Sequence, residues 1–175
     1  VGPLRLIRPA AGAVWRSRLA STEWKTADAE FIRFESGQGE WKVRTELPSQ
    51  WEVEWHGRKV VVRATNFGHL GFFPEHETCW RAMAPHLLGA SAGPTKGGSA
   101  PSDSTAGFLN LFAYTGLATI AAAQAGIKVV HVDASKTSIE WARKNAQVNG
   151  VADKPIRWLL DDVPEFIRRE VKRGT

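Results

Sequence analysis

Three strand-end signals in this chain carry residues that could hold a sugar and a base. They are the turn "FAYTG" ending in Gly116, Asp133 at the end of "KVVHVD", and the Asp161–Asp162 pair after "IRWLL". Gly116 lets the backbone pass close under a ligand, because no side chain intervenes. The helix expected after it presents free N–H groups and the positive end of its dipole. Asp133 follows about 17 residues later. In nucleotide-binding α/β units an acid about 20 residues beyond the glycine turn accepts hydrogen bonds from the ribose hydroxyls. Asp161 or Asp162 could accept the exocyclic amine of adenine while the Val163 N–H serves a ring nitrogen; either acid could equally cap the helix ahead of Pro164. Ser135 is open in the same way, as an N-cap or as a ligand contact.

The elements that must position these residues are legible from residue 107 onward. "FLNLF" reads as a short apolar strand, and "LATIAAAQAG" as a helix closed by Gly126. "KVVHVD" is a second strand. "KTSIEWARKNAQVNG" is an amphipathic helix with Ile139, Ala142, Ala146 and Val148 near one face and Gly150 as its terminal cap. "IRWLL" is a third strand, and "VPEFIRREVKRG" a third helix with proline in its first turn. Strand–helix alternation of this kind builds a parallel sheet. Alanines 118, 121, 122 and 123 keep the first helix slim enough to pack tightly on that sheet.

The first half has a different character. From Trp24 to Thr65 the chain reads as β structure: "WKVRTELP" and "WEVEWHGRKVVVRAT" alternate apolar and polar residues, Gly57 marks a hairpin, and no helix of convincing length is expected. Residues 76–88 have helical spacing with Pro85 as a kink or stop. Residues 89–107 are rich in Gly, Ala, Ser and Pro and read as a mobile loop. "GPTKGGS" within it lacks the glycine–lysine–hydroxyl order of a phosphate-gripping loop. The expected division is a β-rich domain over 1–67 and a Rossmann-like domain over 68–175, with 89–106 as a flexible loop.

Composition bounds the partners. The 175 residues carry a net charge of +5 and eight tryptophans, and a basic surface attracts polyanions. Most of the tryptophans are expected to pack in the core or on edge strands, with base stacking as the other use of such rings. No apolar run approaches a bilayer span and no cleavable leader pattern opens the chain, so a soluble, cytoplasmic protein is expected. Cys79 is the single cysteine. It excludes internal disulfides and multi-cysteine metal sites, and it reads as a small buried hydrophobe; no metal is expected.

The ligand can be narrowed further. Dinucleotide enzymes bury a pyrophosphate over G-x-G-x-x-G, and this turn offers one glycine where that signature needs three. S-adenosylmethionine, which has adenine and ribose but no pyrophosphate, fits better. "FLNLFAYTGLATIAAAQAG", "VVHVDASKTSIEWARKNAQVNG" and "IRWLLDDVPEFI" resemble the first three motifs of the class I S-adenosylmethionine-dependent methyltransferases. The branch they resemble is that of the bacterial large-subunit ribosomal RNA cytosine-5 methyltransferases, to which the upstream "GHLGFFPEHETCW" is also similar. The resemblance covers residues 68–170.

That resemblance implies the roles. Phe112, Ala113, Tyr114, Thr115 and Gly116 would line the methionine part of the cofactor, with Phe73 and Glu75 near the same end. Asp133 would hold the ribose, Ala134 and Ser135 would lie beside the adenine, and Asp162 and Val163 would read its edge. Asn145 and Asn149 read as structural residues of a helix end. The implied fold is the first three parallel strands of a class I sheet, preceded by a small β-rich domain. The implied partner is RNA, ribosomal in this branch, and no membrane. The Asp-Pro-Pro strand and the catalytic cysteine of the branch do not occur in these residues, so no catalytic residue is assigned. The chain is expected to be the amino-terminal part of a longer enzyme, with one edge of the first parallel strand open. Two other readings are a nicotinamide dinucleotide-binding oxidoreductase domain, against which the missing glycines count, and a non-catalytic RNA-binding module.

Overall fold

The computed structural model describes residues 1–10, 12–76, 78, 79, 82, 83, 85, 86 and 107–174. The mobile loop expected over 89–106 and much of the helix expected over 76–88 lie outside the described residues. The chain divides into two compact units, Val1–Phe72 and Phe73–Thr175.

The first unit is β-rich. Strands β1 (Leu6–Ile7), β2 (Ala29–Arg33) and β3 (Gly39–Val43) form one sheet in the order β1-β2-β3, and α1 (Ser21–Lys25) is a five-residue helix between the first two. β1 runs parallel to β2, and β2 runs antiparallel to β3 with Phe31 opposite Trp41. Ala29 and Phe31 are buried while Ile32 and Arg33 face out. The Asp28 carboxylate ties this sheet together: it accepts the Arg5 N–H at 2.7 Å and the Thr45 hydroxyl at 2.9 Å. Those bonds hold its pKa below the ordinary carboxylate value.

β4 (Trp51–Trp55) and β5 (Arg58–Val62) make the hairpin expected at Gly57, with Val53 opposite Val60. His56 and Gly57 both have positive φ, 48° and 71°, the requirement of a two-residue turn whose twist matches its strands. Val53, Val60, Val61 and Val62 are buried. Most of the tryptophans are expected to pack, and two stand outside that expectation. Trp41 and Trp51 are half-buried and send their indole N–H groups to the carbonyls of Thr65 and Val1. Trp15 and Trp24, in contrast, are 70% and 41% exposed. Both belong to the segment around α1, which contributes no buried residue of its own.

In the second unit, a 3-10 turn (Pro74–His76) precedes three strand–helix pairs. These are β6 (Gly107–Leu111) with α2 (Leu117–Gln124), β7 (Lys128–Asp133) with α3 (Lys136–Val148), and β8 (Ile156–Leu160) with α4 (Val163–Arg173). All three strands are parallel, in the order β6-β7-β8, with Leu111 opposite Val132 and Asp133 opposite Leu160. β6 ends one residue earlier than "FLNLF" suggests, because Phe112 turns into the left-handed region at φ 52°.

The alanine-rich α2 buries Leu117, Ile120 and Ala121 to Ala123 against the sheet. α3 buries Ser138, Ile139, Trp141, Ala142, Asn145 and Ala146, so Trp141 and Asn145 join the apolar face and Val148 sits only at its margin. Among the described residues, the outer edge of β6 pairs with no strand. A cleft of about 380 Å³ lies between the sheet and α4, lined by Leu109, Val130 and Arg157 of the three strands and by Phe166, Ile167 and Val171 of the helix among others. Among the described residues, then, the first parallel strand has the open edge that the sequence leads one to expect. Cys79 is exposed rather than buried. No helix among the described residues is long and apolar enough to cross a membrane, and they hold no cluster of ligating side chains suited to a metal ion.

Candidate functional site

The parallel register brings three chain reversals to one end of the sheet: the 112–116 turn after β6, Asp133–Ser135 after β7, and Asp161–Val163 after β8. The first is strained. Phe112 and Tyr114 have φ of 52° and 51°, and Gly116 has φ 79°. Left-handed conformations at bulky residues cost about 1–3 kcal/mol each and persist only where the surroundings over-determine them.

The surroundings here are identifiable. The Asp133 carboxylate accepts the Tyr114 N–H at Oδ2 (2.7 Å) and the Ser135 N–H at Oδ1 (2.8 Å). The Ala113 N–H donates to the Val132 carbonyl at 3.1 Å, and the Gly116 N–H closes back on the Ala113 carbonyl at 3.0 Å. From α3, the buried Asn145 amide donates to the Thr115 carbonyl at 2.9 Å, and the Asn149 amide donates to the Asn145 carbonyl at 2.8 Å.

Gly116 has a different reason from the one its position in the sequence suggests. A Cβ built there would lie 2.9 Å from the Ala142 Cβ and 3.3 Å from the His131 Cε1. The glycine lets the turn pack on α3 and adopt a positive φ; a side chain there would face Ala142 and His131.

Ala113, Thr115, Gly116 and Val163 are buried, so any part they play in holding a ligand passes through their backbone groups. Phe112, by contrast, is 71% exposed at the mouth of the turn. Tyr114 is half-buried. Its ring lies 5.3 Å from that of Phe73 and 6.4 Å from that of Trp141. Glu75 is exposed on the 3-10 turn, and no hydrogen bond or ion pair ties its side chain to the 112–116 turn among the described residues.

At the second tip, Ala134 is exposed. Ser135 caps α3, its hydroxyl accepting the Ser138 N–H at 3.2 Å. At the third, Asp162 caps α4 by accepting the Glu165 N–H at 3.0 Å, and Asp161 is ion-paired with Arg169. Capping therefore operates at both positions that the sequence left open. It uses one oxygen of Asp162 and leaves the other for a further donor.

The arrangement suits a neutral diol better than a phosphate. Asp133 is half-buried, and each carboxylate oxygen retains a second lone pair beyond its backbone donor, enough to accept a pair of vicinal hydroxyls. A negative group at the tip of β7 would repel a phosphate placed beside it.

Beneath the turn runs a polar chain that the sequence reading did not find. The Asn110 amide donates to the Thr119 hydroxyl at 2.9 Å, and that hydroxyl lies 3.0 Å from the His131 Nδ1. The hydroxyl and Nδ1 share one hydrogen bond, whose donor is set by the imidazole tautomer. Nε2 has no hydrogen-bond partner among the described residues, and the His131 ring packs 4.6 Å from that of Trp158. The available signal was one polar residue inside each apolar element: His131 in "KVVHVD", Thr119 in the alanine helix, and Asn145 on the buried stripe of α3.

Burial pushes the His131 pKa down to about 4; the nearby Asp133 carboxylate opposes the shift and Arg143 adds to it. The folded state therefore binds fewer protons than the unfolded state between about pH 6.5 and 4. The histidine's contribution to stability should be full above pH 6.5, fall through that window by up to roughly 3 kcal/mol, and level off below it. Urea midpoints measured from pH 7.5 to 4 should show this fall. His131→Gln should remove the part due to the imidazole, leaving the slope of the carboxylates.

No family model matches the chain. Over 136 residues, 77% of its length, the chain is 32% identical to the ribosomal RNA large subunit methyltransferase K/L of Aliivibrio fischeri strain MJ11, of which it covers 17%. Over 168 residues, 90% of its length, it is 31% identical to the protein of the same name from Ectopseudomonas mendocina, of which it covers 20%. The solved structure of a SAM-dependent methyltransferase from Agrobacterium tumefaciens matches 99% of the chain and 52% of its own length, at 36% identity and a TM-score of 0.84. The chain thus spans about a fifth of these curated relatives and about half of the solved one. In sequence and fold the chain is similar to S-adenosylmethionine-dependent methyltransferases, and its second unit has the α/β arrangement of three parallel strand–helix pairs.

Proposed function

We propose that the three strand tips bind S-adenosylmethionine and that the protein containing them transfers its methyl group to RNA, in the ribosome by likeness to the curated relatives. The observation that carries this reading is the Asp133 carboxylate. It is held at the tip of β7 by the Tyr114 and Ser135 N–H groups and can still accept from a ribose. Phe112 to Gly116 line the methionine end, with the mutually tilted Tyr114 and Phe73 rings beside it and Glu75 toward the same end. Ala134 and Ser135 flank the adenine, and Asp162 and the Val163 N–H read its edge. Bound there, the sulfonium supplies an electrophilic methyl group. The chain's own residues contribute orientation, a term that can reach about 7–11 kcal/mol in enzymes. We place the protein in the cytoplasm on the same likeness.

Calorimetric titration with S-adenosylhomocysteine tests the reading on the chain itself, without requiring turnover. Heat of binding with one site per chain is the expected result. A folded sample that gives no heat with either the methylated or the demethylated ligand would overturn it.

A further inference from the structure

The surface around α1 is built unlike the rest of its unit. Trp15 and Trp24 are exposed, and so are Arg16, Arg18 and Lys25. The Trp24 indole N–H donates to the Ser17 hydroxyl at 2.8 Å, which lays the helix ring alongside the segment carrying both arginines. Elsewhere in the unit the arginines are engaged. Arg5 meets Thr26, Arg8 donates to the Gly68 carbonyl, Arg33 to that of Gly37, and Arg44 pairs with Glu30. Among the described residues, the side chains of Arg16, Arg18 and Lys25 make no ion pair or hydrogen bond, and Trp15 meets no other ring. Glu23 is the single acid between residues 12 and 25.

Two exposed indoles interleaved with three unpaired cations match the needs of a single-stranded polyanion with flat bases. Cations track the phosphates, and aromatic faces stack unpaired bases. A duplex hides its base faces and would leave the indoles unused.

We infer that Trp15, Arg16, Arg18, Trp24 and Lys25 form a binding surface for single-stranded RNA. The inference rests on the proposed function only in taking RNA as the polyanion, and its test does not depend on cofactor binding.

The test is fluorescence anisotropy with the whole chain, a labelled mixed-sequence RNA of about 10 nucleotides and a blunt duplex of the same sequence, with calorimetry on S-adenosylhomocysteine run in parallel. The single strand should bind more tightly than the duplex. Trp15→Ala should weaken binding at least about fivefold. The slope of log K against log salt should become shallower by roughly 0.7 for each of Arg16→Ala and Arg18→Ala. All three side chains are exposed, so the cofactor titration should stay as in the parent and certify folding.

Absence of RNA binding by a chain that still binds the cofactor product overturns this surface and leaves the cofactor site standing. So does RNA binding indifferent to all three substitutions, or Trp15-dependent binding to anionic vesicles or a protein in place of RNA. RNA binding that depends on Trp15 in a chain giving no cofactor heat supports the surface and sinks the cofactor reading instead.

Discussion

Asp133→Ala should weaken S-adenosylhomocysteine binding by one to two orders of magnitude and destabilise the second unit as well. A hydrogen bond to a charged group is worth about 1.5–3 kcal/mol, or roughly 10- to 150-fold in affinity. The ribose is read as offering two such donors. The stability loss has a separate origin. The same carboxylate accepts the Tyr114 and Ser135 N–H groups, and a buried donor left without a partner costs about 1–3 kcal/mol. Tyr114 also sits in a left-handed conformation that this bond helps to hold. Asp133→Asn retains one acceptor oxygen while turning an amide N–H toward a backbone donor, so it should fall between parent and alanine on both measures. Urea unfolding and calorimetry together separate the effects. Loss of stability with unchanged affinity at ligand concentrations where the variant is folded would remove Asp133 from the ribose and leave it a structural clamp.

Gly116→Val should cost on the order of 2–5 kcal/mol of stability. A β-branched residue at φ 79° carries the left-handed penalty, about 1–2 kcal/mol. Its side chain must also enter a space where the first carbon alone would stand 2.9 Å from the Ala142 Cβ, and overpacking of this kind costs a further 1–3 kcal/mol. The two terms can be told apart. Gly116→Ala combined with Ala142→Gly relieves the collision but not the backbone, so the pair should be less destabilised than the sum of the single changes. Additive losses would show that α3 does not constrain the turn. The result also bears on how the turn is positioned, because Asn145 on the same helix face holds the Thr115 carbonyl.

Most of the second unit was legible before any coordinates. β7 and β8 fall where "KVVHVD" and "IRWLL" place them, and α4 starts at Val163 with Pro164 in its first turn. These elements announce themselves because periodicity, caps and breakers are local properties, carried by residues within a turn or two of one another. The strand tips were legible for the same reason: a parallel strand–helix alternation puts all its strand ends on one side.

The errors and omissions are non-local. Cys79 was expected to be buried and is exposed, and Trp15 and Trp24 are exceptions to the packing expected of most tryptophans. Residue type gives a tendency to burial, and only the arrangement of neighbours decides it. Asn145 read as a helix-end residue. Its role depends on Thr115, 30 positions away, and no window along the chain contains both.

By itself, then, the sequence determined the order of strands and helices and the carboxylate and glycine at successive strand ends, on which the proposed nucleoside ligand rests. The tertiary structure alone decided what restrains them. Gly116 is required by Ala142 across the packed helices, Asp133 clamps the backbone of the neighbouring turn, and His131 is kept neutral by burial under it. The reason is one of range. Secondary structure and strand-end chemistry follow from bonds to near neighbours in the chain, whereas close packing, desolvation and hydrogen bonds between elements exist only once distant segments have met.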